Sequence, residues 1–326
     1  CKQDGALIKA DHLLGFDEIP LQNSDPRNQD AVQLLGRPAG DGLITIRETD
    51  RMLVLSCEQF TYVFNKLTGL FDKMTFANEP LLDQPMGFNV WRAPTDNDRK
   101  LKADWYAAHY DHAATNAYHT EYTVTASGVT LHTHVGIAAI CVQKFLDLDV
   151  TWTVANNGSV DLALHAQRNT VFPELPRFGL RLFLPQEMSQ VNYYGMGPME
   201  CYRDKHHAAS HSSYTATVWQ LHEDYIRPQE NGRHFDCDYV MLAGDAVRLT
   251  AVGTQPFSFN ASHYTQEELT RKAHNYELEP CGSTVLCLDY AQNGIGSESC
   301  GPRLLEQYRL DDAAFDFGLR LIPEKK

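Results

Sequence analysis

The feature of this sequence that most constrains its fold is a repeated alternation of apolar and polar residues with a period of two. Residues 146–154 show it most clearly, as Leu-Asp-Leu-Asp-Val-Thr-Trp-Thr-Val. Successive side chains of a strand point to opposite faces, so this pattern predicts a strand with one buried and one solvated face. Similar alternation occurs at residues 60–64, 122–135, 180–184, 247–251, 286–290 and 315–321.

Turn and helix signals favour the same fold class. The dipeptide Ser127-Gly128 divides the run at 122–135, which predicts a hairpin there. Thr265 and Glu268 match a capping box, which predicts a short helix over residues 266–274, and residues 101–108 are a second candidate. Because strands follow strands with few helices between them, the sequence favours an all-β sandwich of antiparallel sheets.

The first forty residues differ from the rest of the chain. Apolar residues such as Leu7, Leu13 and Phe16 predict one or two strands, and the polar residues 22–30 predict a linker. We therefore place a boundary near residue 40, which gives a short segment, 1–40, and a large domain, 41–326. The chain has neither an initial methionine nor a signal peptide, and we expect it to begin inside a longer protein.

The charge of the chain argues against two kinds of partner. Its formal net charge is −14 over 326 residues, whereas nucleic acids and anionic membrane surfaces attract clusters of Lys and Arg. No apolar stretch reaches the roughly eighteen residues that a membrane-spanning helix needs. A neutral ligand such as a sugar is compatible with this charge, so we expect neither nucleic acid nor a membrane as a partner.

The eight cysteines favour reduced thiols, as in a cytoplasmic protein. No two of them form a Cys-x-x-Cys pair, and no histidine beside them has the spacing of a zinc site. A bridge between Cys281 and Cys287 is left open. His132 and His134, at alternate positions of one strand, are either surface residues or two ligands of a metal, and the surface interpretation is favoured.

Four polar segments rich in glycine or proline interrupt the strand pattern, and each is either a structural turn or a ligand-facing loop. Glu230 is a salt-bridge partner or a sugar ligand. Glu200 or Asp204 is expected to form a buried ion pair with Arg203. Cys300 has no base near it in sequence, so a nucleophilic role is disfavoured. The four segments are residues 91–99, 195–204, 227–232 and 289–302.

Taken in order, motifs in these segments resemble the C-terminal domain of family 2 glycoside hydrolases of the β-galactosidase type. The resemblance covers residues 43–322 and rests on four motifs with matching spacing. They are Arg92-Ala93-Pro94-x-Asp96-Asn97-Asp98, Gly195-x-Gly197-Pro198-x-Glu200-x-Tyr202-x-Asp204, Pro228-x-Glu230-Asn231-Gly232 and Gly296-x-x-Ser299-x-x-Pro302.

The resemblance implies a fold, and it implies that the catalytic residues lie in another domain. The fold is a large antiparallel β super-sandwich resembling galactose mutarotase, preceded by the terminal strand of an immunoglobulin-like domain at residues 6–17. In the family, the catalytic glutamates and the magnesium ligands lie in a (β/α)₈ barrel. The sequence lacks the alternation of strands and helices typical of that barrel. We therefore assign no catalytic residue, metal ligand or cofactor to this chain, and expect magnesium in the missing barrel.

What the resemblance leaves to this domain is one wall of the active site. It places Asp96, Asn97, Asp98, Ser299 and Cys300 in that wall. Family members carry a tryptophan at the position of Cys300, where it stacks on the aglycone; a cysteine offers much less stacking surface. The other motif residues are expected to have structural roles: Arg92, Glu200, Tyr202, Asp204, Glu230, Asn231 and Gly232.

The functional hypothesis is the C-terminal part of a β-galactosidase, which hydrolyses terminal β-galactosides such as lactose. We expect the chain to be inactive alone. Its partners would be the N-terminal catalytic portion and the galactoside, within an oligomeric enzyme of the bacterial cytoplasm. Two alternatives are a free-standing carbohydrate-binding module and an enzyme resembling aldose 1-epimerase.

Overall fold

The computed structural model describes residues 2–19, 27–296, 298 and 300–326, and within them strands dominate. A five-stranded antiparallel sheet comes first in the chain, in the order β1-β2-β3-β4-β5. Its strands are β1 (Thr45–Glu48), β2 (Met52–Ser56), β3 (Phe60–Asn65), β4 (Leu70–Phe76) and β5 (Glu79–Pro80).

The second antiparallel sheet has twelve strands, nine of them in the order β13-β12-β14-β15-β17-β10-β9-β8-β7. The other three form a branch: β15 pairs with β16, β16 pairs with β11, and β11 pairs with β6. The strands are β6 (Gln84–Asn89), β7 (Ala114–Thr125), β8 (Gly128–Ala138), β9 (Leu146–Ala155), β10 (Val160–Arg168), β11 (Arg177–Pro185), β12 (Gln190–Gly197), β13 (Ser210–Thr217), β14 (Arg233–Ala243), β15 (Val247–Ser262), β16 (Ser283–Gln292) and β17 (Ala314–Lys325).

Strand β15 makes this sheet fold over on itself. Its first half, 247–253, pairs with β17, and its last residues, 258–262, pair with β16. The branch β16-β11-β6 therefore lies over β17. Tyr290 of β16 stacks on Phe315 of β17 at 4.3 Å between ring centroids, and Phe178 of β11 meets the same ring edge-on. The five-stranded sheet closes another part of the core, where Trp152 donates a 3.0 Å hydrogen bond to the carbonyl of Gly69.

The all-β antiparallel sandwich predicted from alternation is confirmed. Residues 146–154 form most of β9, with Leu148 and Trp152 buried and Asp149 exposed. The predicted hairpin is also present, because Thr125, the last residue of β7, pairs with Gly128, the first residue of β8. Since the inward residues of these strands are apolar, their burial supplies the main stabilising free energy of the domain.

Helices are short. The α-helices are α1 (Gln29–Leu35), α2 (Leu101–Ala107) and α3 (Gln266–Arg271), and the 3₁₀ helices are Asp96–Arg99, Tyr110–His112, Val218–Leu221, Asn275–Glu277 and Glu306–Tyr308. Helix α2 matches its prediction. Helix α3 starts as predicted, because Thr265 accepts from the N–H of Glu268, but it ends at Arg271 rather than at 274. Lys272 is already extended, and the Glu268 carboxylate binds the N–H of Glu279 rather than the start of the helix.

The beginning of the chain differs from its prediction. Residues 2–19 contain no strand, so the expected immunoglobulin-like strand is not confirmed; no described strand pairs with these residues, and a strand needs such a neighbour. Residues 22–26 of the predicted linker lie outside the described residues; its end differs from the prediction, because Asn28 caps α1 by accepting from the N–H of Asp30. Helix α1 packs its buried Ala31 beside Val252. The division at residue 40 stays a prediction.

Two further features were left open by the sequence. Cys281 and Cys287 are both free, so the bridge between them is not formed. Among the described residues, no helix has the length and apolar character needed to cross a membrane.

Candidate functional site

Three strands of the sandwich bring the sequence motifs to one end of the sheet. Strand β11 pairs antiparallel with both β6 and β16, so the start of β11 lies beside the ends of the other two. Arg177 opens β11 opposite Gln292, and Asn89 ends β6 opposite Gly179. The segments that follow β6 and β16 are the first and fourth polar segments, and they therefore meet.

Arg92 joins these two segments. Its side chain is fully buried, and its guanidinium donates to the carbonyls of Asn293 and Gly294 and, at 2.6 Å, to the carboxylate of Asp98. A charged group removed from water needs partners of this kind, because its desolvation is otherwise strongly unfavourable. Arg92 therefore fixes residues 293–294 relative to the turn at 95–98.

Two more side chains hold the next residues of the fourth segment. The Asn97 amide donates to the carbonyl of Ile295 at 2.7 Å. The Asp204 carboxylate accepts from the N–H groups of Ile295 and Gly296, at 3.1 and 2.7 Å. A side chain at Gly294 would place its Cβ 2.7 Å from Asp204 Oδ2, so only glycine allows this approach.

The three residues of the Asp96-Asn97-Asp98 motif have different surroundings. Asp98 is buried; besides Arg92, it accepts from the N–H of Thr95 at 2.8 Å, which closes the 3₁₀ turn. Asn97 holds the fourth segment, as described. Asp96 is exposed, and its N–H donates to Gln229 of the third segment at 3.2 Å. Of these three side chains, Asp96 is the one most open to solvent.

Beneath these loops lies an ion triad that sequence reasoning missed. Arg177 donates to Glu230 at 2.9 Å and to both oxygens of Asp289, at 2.6 and 3.2 Å. The three side chains are at most 1% exposed. The available signal was a charged residue at the start of an apolar strand, since a buried charge requires a partner. The salt-bridge interpretation of Glu230 is thus the one that the structure supports.

The pKa values of the triad follow from burial and charge. Burial acts to lower the pKa of Arg177, but the charges of Asp289 and Glu230 outweigh it and raise that pKa well above its ordinary value. Burial raises the pKa of the Glu230 carboxyl, against the lowering effect of Arg177. Glu230 Oε2 is buried and has no hydrogen-bond partner among the described residues.

Glu200 ties the second segment to the third. The predicted pair with Arg203 is not formed, because Arg203 donates to the carbonyl of Arg309. Lys205 binds Glu200 Oε1 at 2.8 Å, and Glu200 Oε2 accepts from the N–H of Gly232 at 3.0 Å. The hydroxyls of Tyr202 and Tyr225 also donate to this carboxylate. Although burial acts to raise it, the pKa of Glu200 lies below its ordinary value because these donors stabilise the anion.

The turn after Glu230 depends on its glycine. Gly232 has φ +66°, and a Cβ there would lie 2.3 Å from the carbonyl oxygen of Leu221. The preceding Asn231 accepts from the N–H of Glu223 at 3.1 Å through its side chain. Asn231 and Gly232 both shape this turn, and the structural roles assigned to them stay a prediction.

The four segments surround an open hollow of about 390 Å³, which we call the site hollow. Its lining includes the carboxylate residues Asp204 and Glu230, the amides Asn97 and Gln229, and Lys205, although Glu230 is 2% exposed and bound to Arg177. Hydroxyl groups both donate and accept hydrogen bonds, so a polyhydroxylated ligand fits this mixture of groups. Its lining residues are Thr95, Asn97, Asp204, Lys205, Tyr225, Gln229, Glu230, Ile295 and Gly296.

Comparison with known proteins decides the family. The family model described as "Beta galactosidase small chain" matches residues 56–321. The chain belongs to this family. This agrees with the resemblance drawn from the four motifs.

Among curated relatives of this chain, the β-galactosidase of Actinobacillus pleuropneumoniae is 39% identical over 319 residues. The β-galactosidase of Staphylococcus xylosus is 35% identical over 321 residues. Each alignment covers 98% of this chain but only 31% and 32% of the relative. The chain therefore spans about a third of the length of these relatives.

Solved structures with a similar fold include galactose 1-epimerase from Lactobacillus acidophilus NCFM and a galactose mutarotase-like protein from Lactobacillus casei ATCC 334. The first has a TM-score of 0.46 and 9% sequence identity, and the match covers 87% of this chain and 99% of the epimerase chain. The second has a TM-score of 0.43 and 10% sequence identity, and the match covers 84% of this chain and 100% of the mutarotase-like chain. The likeness concerns the fold alone.

The remaining predicted residues of the small chain lie as follows. Cys300 is exposed, in the segment that Arg92, Asn97 and Asp204 anchor. Ser299 lies outside the described residues. Whether these positions line the substrate site stays a prediction.

His132 and His134 lie apart from the site, on the outer face of β8. His134 binds Asp147 and Asp149, each at 2.9 Å, and His132 contacts the hydroxyl of Thr151. In the part of the chain that the structure describes, no group of three or more His, Cys, Asp or Glu side chains is arranged to hold a metal ion.

Proposed function

We propose that this chain is the part of a β-galactosidase that completes one wall of the active site and supports assembly of the enzyme. The observation that carries the proposal is the convergence of four polar segments on the site hollow, in a chain of the β-galactosidase small-chain family. In this proposal the whole enzyme hydrolyses terminal β-galactosides such as lactose, as an oligomer of the bacterial cytoplasm.

The proposal assigns the proton-transfer chemistry to the rest of the enzyme. A glycosidase needs two carboxyl groups facing the glycosidic bond, one of them able to donate a proton. Here Asp98 is held by Arg92 and Thr95, Asp204 by two backbone N–H groups, and Glu200 by four donors. These carboxylates position loops. The magnesium that the resemblance implies is assigned to the catalytic portion as well.

In this proposal, the wall orients the aglycone, which is the leaving group of the substrate. Asp96 and Gln229 stand at the solvent side of the anchored segments, and Cys300 follows the segment that Arg92 holds. A thiol has little of the stacking surface of an aromatic ring. We therefore propose that this enzyme discriminates weakly between aglycones by stacking. The relatives do not favour either alternative, a free-standing carbohydrate-binding module or an epimerase-like enzyme.

The test is hydrolysis of nitrophenyl-β-galactoside by three samples. They are the chain alone, a complementing polypeptide alone, and their mixture. The complementing polypeptide is the part of the Actinobacillus pleuropneumoniae relative that this chain does not cover, with the covered part of that relative as a positive control. Activity in the mixture alone supports the proposal. Hydrolysis by the chain alone, or an inactive mixture in which the positive control is active, would overturn it.

A further inference from the structure

A second hollow adjoins the site hollow, and its character differs. It has a volume of about 430 Å³ and shares Lys205 and Tyr225 with its neighbour. Its floor includes the buried Cys201 and Ala209, and Met199 lies at its rim. We call it the apolar hollow after these three residues; its lining also includes Glu200, Lys205, His206, His207 and Glu223.

The apolar hollow is formed in advance of any partner. The N–H of Cys201 donates to the carbonyl of Arg233 at 2.7 Å, and Tyr202 and Lys205 exchange two backbone hydrogen bonds. The hydroxyl of Tyr225 is bound to Glu200. Burial raises the pKa of Cys201 to about 11, so this thiol carries no charge at neutral pH.

Apolar side chains of this hollow are exposed to solvent. Met199 is 52% exposed, and Ala208 is exposed as well. Apolar groups gathered beside the concave floor of Cys201 and Ala209 are typical of a contact surface, because a partner side chain can bury them and the floor together. The two hollows share residues, so this surface is continuous with the proposed active-site wall.

We propose that the apolar hollow receives an apolar side chain from the catalytic portion of the same enzyme, and so fixes that portion against the wall. This inference rests on the proposed function. The occupant is chosen because the chain spans only 31–32% of its β-galactosidase relatives, and the larger part must meet this wall for the two to share one active site.

The amino-terminal segment passes along the same edge of the molecule. Glu18 accepts from the N–H of His211 at 2.9 Å and contacts its ring at 3.1 Å. His211 lies two residues after Ala209, which lines the apolar hollow. Glu18 therefore lies near the surface assigned to the catalytic portion, on the side where contact with it is proposed.

The test uses two substitutions at exposed positions, so that folding is preserved. Ala208→Trp fills the hollow from its rim, and Met199→Glu places a charge there. We expect each to weaken binding of the complementing polypeptide by about tenfold or more, measured by calorimetric titration. Met199→Leu should bind like the parent. Val171→Glu, at an apolar site 89% exposed and outside both hollows, is the matched control.

The outcomes separate this inference from the function on which it rests. With the variants at saturating partner, turnover should return to the parent value, because these residues position the partner and do not touch substrate. Unchanged affinity of Ala208→Trp and Met199→Glu, in a mixture that hydrolyses the galactoside, would overturn the inference and leave the function intact. If the variants instead abolish a dimer of the parent chain seen by sedimentation, the occupant is a second copy, and the inference is wrong. A parent chain that neither binds nor complements overturns both.

Discussion

The buried triad of Arg177, Glu230 and Asp289 allows a sharp prediction about stability. Arg177→Met keeps the length of the side chain but removes the cation that binds both carboxylates through hydrogen bonds of 2.6 to 3.2 Å. Removing one partner of a fully buried ion pair leaves uncompensated charge, which costs about 3–5 kcal/mol. For a chain of this size, about 2 °C per kcal/mol gives a fall in Tm of about 6–10 °C, measured by differential scanning calorimetry.

The matched control is a surface pair of the same chemistry. Arg37 binds Glu324 at 2.7 Å, but the two side chains are 40% and 25% exposed. Exposed ion pairs contribute about 0–1 kcal/mol, so Arg37→Met should lower Tm by no more than about 2 °C. If Arg177→Met behaves like Arg37→Met, the triad contributes no more than a surface pair, and the reasoning from burial is refuted.

The effect of Arg177→Met should also depend on pH. Burial already raises the pKa of Glu230 in the parent, and loss of the arginine removes the main group that lowers it. A carboxyl whose folded pKa lies above its unfolded pKa takes up a proton on folding, so the variant loses stability as pH rises. The deficit relative to the parent should therefore be larger at about pH 8 than at about pH 5. A deficit that grows toward acid would contradict this sign.

Three further predictions concern single side chains. The pKa of His211 is raised to about 9, mainly by its hydrogen bond with Asp236, so its charged contact with Glu18 is fully present below the ordinary pKa of histidine and is lost as pH rises through 9. Limited proteolysis of residues 2–19 should therefore accelerate as pH passes 9, and His211→Asn should remove this pH dependence. Asp204→Asn places an amide against two N–H donors and should change the rate of thiol labelling at Cys300, while Cys141, which is also exposed, labels as before. A labelling rate at Cys300 equal to that of the parent would mean that Asp204 does not hold this segment. Cys300→Trp should lower KM for aryl galactosides about 2- to 10-fold in the complemented enzyme, since an aromatic contact contributes about 0.5–1.5 kcal/mol, and an unchanged KM would place residue 300 away from the aglycone.

The strands could be predicted because their information is local. In β9, each inward residue is apolar and each outward residue is polar or partly exposed, and the turn at 127–128 fixes where its neighbour β8 begins. Helix α1 could not be predicted in the same way. It is seven residues long and has one buried residue, Ala31, whose burial depends on β15 folding beneath it.

The site could be predicted as a set of loops but not as a network. The motifs located the segments that meet, yet Arg177 and Asp289 are 112 positions apart, and neither belongs to a motif by which the other could be found. The partner of Glu200 was also misassigned. Arg203 lies closer in sequence, but the backbone turn between Tyr202 and Lys205 brings the lysine to the carboxylate. Pairing across a turn depends on side-chain direction, which spacing alone does not specify.

The fourth polar segment is held by side chains from elsewhere in the chain, and this separates support from specificity. Arg92, Asn97 and Asp204 bind only its backbone carbonyl and N–H groups at 293–296. Backbone groups are the same whatever residue follows them, so these bonds at 293–296 do not require a particular side chain further along the segment. Under the proposed function, aglycone preference would then be a property that evolution or a protein engineer can alter one residue at a time, at positions that follow the anchored stretch.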